Sequence, residues 1–139
     1  MYLLENLNEI NNFYTKILRN VGHKNNLTFE QSKLLISIPY DGILLSELAS
    51  SLGIDNSTLT RNLQKLNNKQ FIEIKNDIYD KRKKILSLSS NGNQILNIIE
   101  KNITKILQKL NIHLNVGEMQ EINNSLEKLN WSISCIDNE

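Results

Sequence analysis

The sequence predicts a mainly α fold with one small β hairpin, and three observations predict it. Apolar residues recur at steps of three and four near both ends of the chain. In the middle, two short amphipathic segments are joined by a glycine turn. Two runs that alternate with period two then flank a charged tip.

Each element can be justified in order. Leu3, Leu7, Ile10, Tyr14, Ile17 and Val21 form one seam, which predicts a first helix. Thr28-Phe29-Glu30-Gln31 has the form of a capping box and opens a second helix with Leu34, Leu35 and Ile38 inward. Pro39, the only proline, ends that helix because it lacks an N–H and restricts Ile38. Asp41-Gly42 predicts a turn and Ile43-Leu44-Leu45 a short strand. Leu45, Leu48, Ala49 and Leu52 share one face of a short helix that stops at Gly53. Asp55 is placed to cap a further helix, Asn56 to about Gln70, with Leu59, Leu63 and Leu66 inward.

The strands of the hairpin are Phe71-Ile72-Glu73-Ile74-Lys75 and Ile85-Leu86-Ser87-Leu88. Ser89 is placed to cap a long helix carrying Ile95, Ile99, Ile103, Ile106 and Leu110. After a break at Asn115-Val116-Gly117, a last helix carries Met119, Ile122, Leu126, Leu129, Ile133 and Ile136. Helix, glycine turn, helix and hairpin together describe a winged helix-turn-helix over about residues 28–88. It is flanked by an N-terminal segment, 1–26, and a C-terminal segment, 89–139.

Composition narrows the function. With 139 residues, 40% of them hydrophobic, the chain can bury a core. A formal net charge of +1 excludes a globally basic nucleic-acid binder unless the charge is segregated. It is segregated. Between residues 61 and 84, Arg61, Lys65, Lys69, Lys75, Lys81, Arg82, Lys83 and Lys84 face only Glu73, Asp77 and Asp80, a net of +5. A local positive patch on a neutral molecule is the electrostatic footprint of docking on phosphate, although a solvated surface loop can carry the same charges.

One cysteine, Cys135, excludes an intramolecular disulfide framework and a cysteine-based zinc cluster. No apolar run reaches the ~18 residues of a membrane span. The first residues lack the pattern of a secretory signal, so a cytoplasmic protein away from the membrane is expected. There is no nucleophile motif, glycine-rich phosphate loop or HExxH, so no enzyme and no cofactor are expected.

The terminal seams exceed what so small a core can cover. Leaving a large apolar side chain wet forgoes ~1.5–3 kcal/mol. The economical arrangement packs the terminal helices on each other and on those of a second chain, giving a homodimer. A monomeric helical bundle is the alternative.

Several runs resemble the MarR family of transcription regulators. They are Leu45-Ser46-Glu47-Leu48-Ala49-Ser50-Ser51-Leu52-Gly53-Ile54 with Ser57-Thr58-Leu59-Thr60-Arg61, then Leu63-Gln64-Lys65-Leu66, Phe71-Ile72, Asp80-Lys81-Arg82 and Leu86-Ser87-Leu88-Ser89-Ser90-Asn91-Gly92. Order and spacing agree over essentially the whole chain. The resemblance implies a winged-helix homodimer joined through its terminal helices and bound to double-stranded operator DNA. It also implies repression that is commonly relieved by a small phenolic or other anionic effector, by oxidation or by metal. Three positions depart from the family pattern. Leu44 stands where a polar helix cap is frequent, Ile78-Tyr79 replaces a frequent Pro-Arg at the wing tip, and Ser89 replaces Thr.

With the leucines inward, Ser57, Thr60, Arg61, Gln64 and Asn68 fall on or beside the outer face of the recognition helix. Arg61 is suited to guanine O6/N7, with pairing to Asp80 or a backbone grip as alternatives, and Gln64 to adenine. Ser57 and Thr60 suit phosphate, while Lys65 and Lys69 are phosphate contacts or solvated lysines. In the wing, the resemblance puts Arg82 in the minor groove, with Lys81, Lys83 and Lys84 around it and Asp80 orienting the guanidinium. An Asp80–Arg82 contact that only stabilises the hairpin is the alternative.

Cys135 reads as a packed interface thiol, and His23 and His113 belong to no metal-ligand spacing. Phe13, Tyr14, Lys16, His23, Phe29 and Tyr40 are candidates for an effector cleft, and equally for core. The effector itself is not encoded in any motif. The expected function is a sequence-specific DNA-binding regulator; a winged-helix dimer acting through a protein partner is the alternative.

Overall fold

The computed structural model describes residues 2–137. Met1, Asn138 and Glu139, which the segments 1–26 and 89–139 include, lie outside the described residues. The chain divides into two compact units, Met1–Ile103 and Thr104–Glu139.

The first unit starts with α1 (Tyr2–Lys24), α2 (Phe29–Ser37), β1 (Ile43–Leu44), α3 (Leu45–Leu52) and α4 (Asn56–Asn68). It continues through β2 (Ile72–Asn76), β3 (Lys84–Leu88) and most of α5 (Ser90–Leu107). Its sheet has the order β1-β3-β2, antiparallel throughout. Ile43 pairs with Leu86 on one side and Ile74 with Leu86 on the other, so Leu86 sits fully buried in the central strand.

The core is leucine-rich. Leu18 of α1, Leu35 of α2, Leu48 of α3, and Leu59, Leu63 and Leu66 of α4 are all buried, and Ile99 of α5 joins them. α1 contributes only its second half: Ile17, Leu18 and Val21 are buried, whereas Leu3, Leu7 and Ile10 are exposed.

Local chemistry sets the element ends. Thr28 and Gln31 form the reciprocal capping box of α2, with bonds of 3.1 and 3.0 Å. Gly53 ends α3 in the left-handed region (φ 67°), where a side chain would be strained. Leu44 precedes α3 and offers no side-chain cap, so the departure from the family pattern leaves that helix start uncapped by its own side chain. At the start of α5, the Ser89 hydroxyl accepts from Gly92 N at 3.0 Å and donates to the Gln70 carbonyl at 2.7 Å. A Cβ at Gly92 would collide with the Phe71 carbonyl, so glycine alone permits this close approach of α5 to the hairpin base.

The second unit holds the end of α5, a 3-10 turn at Gln108–Ile112 and α6 (Val116–Asp137). Among its described residues none is buried.

Three sequence expectations need correction here. Leu45 opens α3 rather than closing the strand. Leu110 lies in the 3-10 turn and not in α5; the tighter turn preserves apolar steps of three and four and so mimics continuation of the helix. The expected break at 115–117 lies instead at residues 113–115, between the 3-10 turn and α6. Asn115 caps α6, accepting from Glu118 N at 2.8 Å while Glu118 Oε2 accepts from Asn115 N at 2.9 Å. Val116 and Gly117 therefore belong to the first turn of α6.

Candidate nucleic-acid interface

Helix α4 is fixed from below and capped from the front. Leu59, Leu63 and Leu66 anchor its inner face, which turns the intervening polar residues outward. At its start, Asp55 Oδ1 accepts from Thr58 N at 2.6 Å and from the Ser57 hydroxyl at 3.0 Å. The bond from the Thr58 backbone does most to hold the Asp55 carboxyl below its usual range. The Thr58 side chain, the Ser57 hydroxyl and the nearby Arg61 charge act in the same direction.

These bonds bear on the sequence assignments. The Ser57 proton is committed to Asp55, and the Thr60 hydroxyl donates to the Asn56 carbonyl at 2.8 Å. Either hydroxyl must exchange that bond before donating to a phosphate. Arg61, Gln64 and Lys65 are exposed on α4.

Lys69 is engaged within the chain. Its ammonium donates to the Asn26 carbonyl in the α1–α2 turn and lies 3.4 Å from Gln31 Oε1. This gives it protein acceptors while the residue stays exposed.

The wing tip spans residues 77–83. Asp77 N donates to the Lys83 carbonyl at 2.9 Å, and Lys83 N to the Asp80 carbonyl at 3.0 Å. Asp80 Oδ1 accepts from Arg82 N at 3.0 Å and from Arg82 Nε at 3.4 Å. Asp80 thus pairs with Arg82, whose side chain stays 93% exposed. The carboxylate steers one edge of the guanidinium and leaves the rest to solvent.

Helix and wing converge on two clefts. The larger, about 390 Å³, is lined by Ser46 of α3, Asn56 and Thr60 of α4, and Arg82, Lys83 and Lys84 of the wing, with Leu44, Leu45 and Leu59 as its apolar lining. The second, about 300 Å³, brings Thr60, Gln64 and Asn67 together with Ile74 and Lys84. Of the sequence-predicted residues, Thr60, Gln64, Arg82, Lys83 and Lys84 line these clefts, whereas Ser57, Arg61, Lys65, Asp80 and Lys81 line neither. Ser46, Asn56 and Asn67 were missed. Asn56 was within reach, since it precedes Thr60 by one helical turn.

The effector candidates are scattered. Phe29 is half-buried with Arg19 at 5.5 Å and Lys33 at 5.9 Å from its ring centroid. It lines a pocket of about 160 Å³ with Lys33, Leu34, Leu52, Ile54 and Asn62. Phe13 and Tyr14 lie partly exposed on α1, Lys16 and His23 are exposed, and Tyr40 stands 92% exposed beside Pro39. Cys135 is exposed in the chain. Among the described residues, no group of three or more His, Cys, Asp or Glu is arranged to hold a metal ion, and no helix is long and apolar enough to cross a membrane.

This geometry has close counterparts among solved structures. MarR from E. coli, in its apo form, superposes with a TM-score of 0.77 and 26% identity over 91% of this chain and 95% of that one. The fold is that of the MarR-type winged helix-turn-helix proteins. A cysteine-to-serine mutant of E. coli MarR, complexed with operator DNA, matches with a TM-score of 0.75 and 25% identity over 93% of this chain and 94% of that one. In sequence, the HTH-type transcriptional regulator TcaR of Staphylococcus aureus is 23% identical, covering 99% of this chain and 92% of its own length. No family model matches the chain. The relatives similar in sequence are helix-turn-helix transcriptional regulators, not enzymes.

Proposed function

We propose that the protein is a sequence-specific transcription regulator, a homodimeric repressor in the cytoplasm that binds a pseudo-palindromic operator. The observation that carries this reading is the convergence of Thr60 of the recognition helix with Arg82, Lys83 and Lys84 of the wing on one cleft. An α-helix in the major groove and a cationic hairpin in the adjacent minor groove need such a junction between them.

In this reading Arg61 reads guanine and Gln64 adenine, while Ser57, Thr60 and Lys65 hold phosphate. Arg82 enters the minor groove with its angle set by Asp80, and Lys81, Lys83 and Lys84 neutralise the flanking phosphates. The segments 1–26 and 89–139 serve dimerisation. The exposed Leu3, Leu7 and Ile10 on α1 support this, as do Ile122, Leu126 and Ile133 on α6. A two-fold axis would set the recognition helices ~34–36 Å apart, in successive major grooves. A small-molecule effector would act by changing that spacing.

Fluorescence anisotropy of the purified protein on its own promoter DNA tests the proposal, with scrambled competitor and two salt concentrations. Specific, salt-sensitive binding is expected. Arg61→Ala should lose about 1–3 kcal/mol of base discrimination. Arg82→Ala should make the slope of log affinity against log salt shallower by about 0.9. Binding no tighter than to scrambled DNA, unchanged in both variants, would refute operator recognition.

A further inference from the structure

We propose that Ile78 and Tyr79, at the tip of the wing, form an apolar wedge that enters the DNA minor groove and partly unstacks a base step there. The inference rests on the DNA-binding reading above and adds to it a residue pair and a mode of contact. Ile78 is 89% exposed and Tyr79 is 95% exposed, although they are the two largest apolar side chains of the tip.

Folding gives no reason for this exposure. The tip is held by other groups: Asp77 N to the Lys83 carbonyl, Lys83 N to the Asp80 carbonyl, and Asp80 Oδ1 to Arg82. The Asp77 carboxylate also reaches Tyr79 N, at 3.5 Å, which helps orient the backbone that carries the pair. The turn would close equally well on two polar residues. A rigid support presenting two wet apolar side chains is the form of a contact surface.

Charge identifies the occupant. Beyond Asp80 come Lys81, Arg82, Lys83 and Lys84, all exposed, and the two carboxylates that flank the pair are engaged within the tip, Asp80 with Arg82 and Asp77 with Tyr79 N. The complementary partner is therefore densely anionic on its surface and apolar within. Duplex DNA has that character, with phosphates outside and stacked bases inside. The wing also shares its basal cleft with the recognition helix, so DNA lying on that helix passes the tip.

Side chains such as Ile enter minor-groove steps as wedges and kink the duplex by about 20–90°. Tyr79 adds a hydroxyl that can donate to adenine N3 or thymine O2, the acceptors that A·T pairs present there. The wedge thus takes the place of the cation that the family pattern frequently has at this position. It favours easily unstacked A·T-rich steps such as TA.

The test uses the full-length protein and a duplex selected by it from a randomised library, end-labelled for energy transfer. Wild-type protein should bend this duplex. Ile78→Ser/Tyr79→Ser should bind about tenfold or more weakly, lose the bend, and keep the wild-type salt slope, because no cation is removed. Arg82→Ala, the contrasting variant, should reduce the slope. A circular dichroism spectrum and melting temperature equal to wild type show that the double variant is folded.

Wild-type affinity and bend in the double variant would overturn the wedge and leave operator recognition standing. Failure of the wild-type protein to select any duplex would overturn both. Sedimentation with phosphatidylglycerol vesicles, lost in the double variant while DNA binding persists, would assign the pair to a lipid surface and overturn the wedge.

Discussion

The two units of the chain solve the burial problem in opposite ways. In Met1–Ile103, leucines from α1 to α4 are buried together with Leu86 and Ile99. In Thr104–Glu139 the apolar periodicity is just as regular, yet among the described residues none is buried. The same period-3.6 signal therefore has two meanings. In the first unit it describes contacts that the chain makes with itself. In the second it describes a face still to be covered, and a second copy of the chain is the occupant that the dimer reading supplies.

The contrast can be broken at its strongest point. Leu63→Ala leaves a cavity under the recognition helix and should cost about 2–5 kcal/mol in urea unfolding. The loss should be independent of protein concentration, since every neighbour of Leu63 is intramolecular. A strong concentration dependence would mean that the first unit also needs a partner to fold.

Leu126→Ser sharpens the other side. Leu126 is already 40% exposed in the single chain, so its replacement should change unfolding little at high dilution. It should weaken self-association about tenfold or more, measured by sedimentation equilibrium. An unchanged association constant would remove α6 from the dimer interface.

The smallest effect concerns pH and the front of α4. The Asp55 carboxyl is held below its usual range in the folded chain, mainly by the Thr58 N–H. A depressed folded value stabilises the fold above the ordinary carboxylate pKa, ~3.9, and that stability is lost as pH falls through the folded value. Asp55→Asn should keep the cap through its side-chain oxygen but flatten the acid limb of a melting-temperature profile below about pH 4. An unchanged acid limb would show that other carboxylates dominate it.

Legibility followed the range of the interactions. Capping at Thr28 and Asp55, the stop at Gly53 and the alternation of the hairpin are all local, and they were readable residue by residue. Asn115 was readable too, because an Asn followed three residues later by Glu is a capping pattern, but Gly117 suggested a break running on to that residue. The family resemblance supplied the placement of Asp80 against Arg82, and the geometry shows the contact.

What sequence spacing does not carry is convergence. Ser46, Asn56 and Lys84 meet only because the paired strands bring the base of the wing beside two helix starts. Nor does a charge run reveal which lysine finds an acceptor on a distant turn. Lys69 reads like its neighbours until the α1–α2 turn, more than forty residues away in sequence, appears beside it.

That lysine has a mechanical consequence. Its ammonium links the end of α4 to the corner between α1 and α2, so it behaves as a latch between α4 and that helix pair. The residue is exposed, and water competes for its donors, so the latch holds weakly and reopens at little cost. While it is closed, a tilt of α1 and α2 carries the end of α4 with it. Once it opens, the buried leucines that α2 and α4 share alone hold the two helices together.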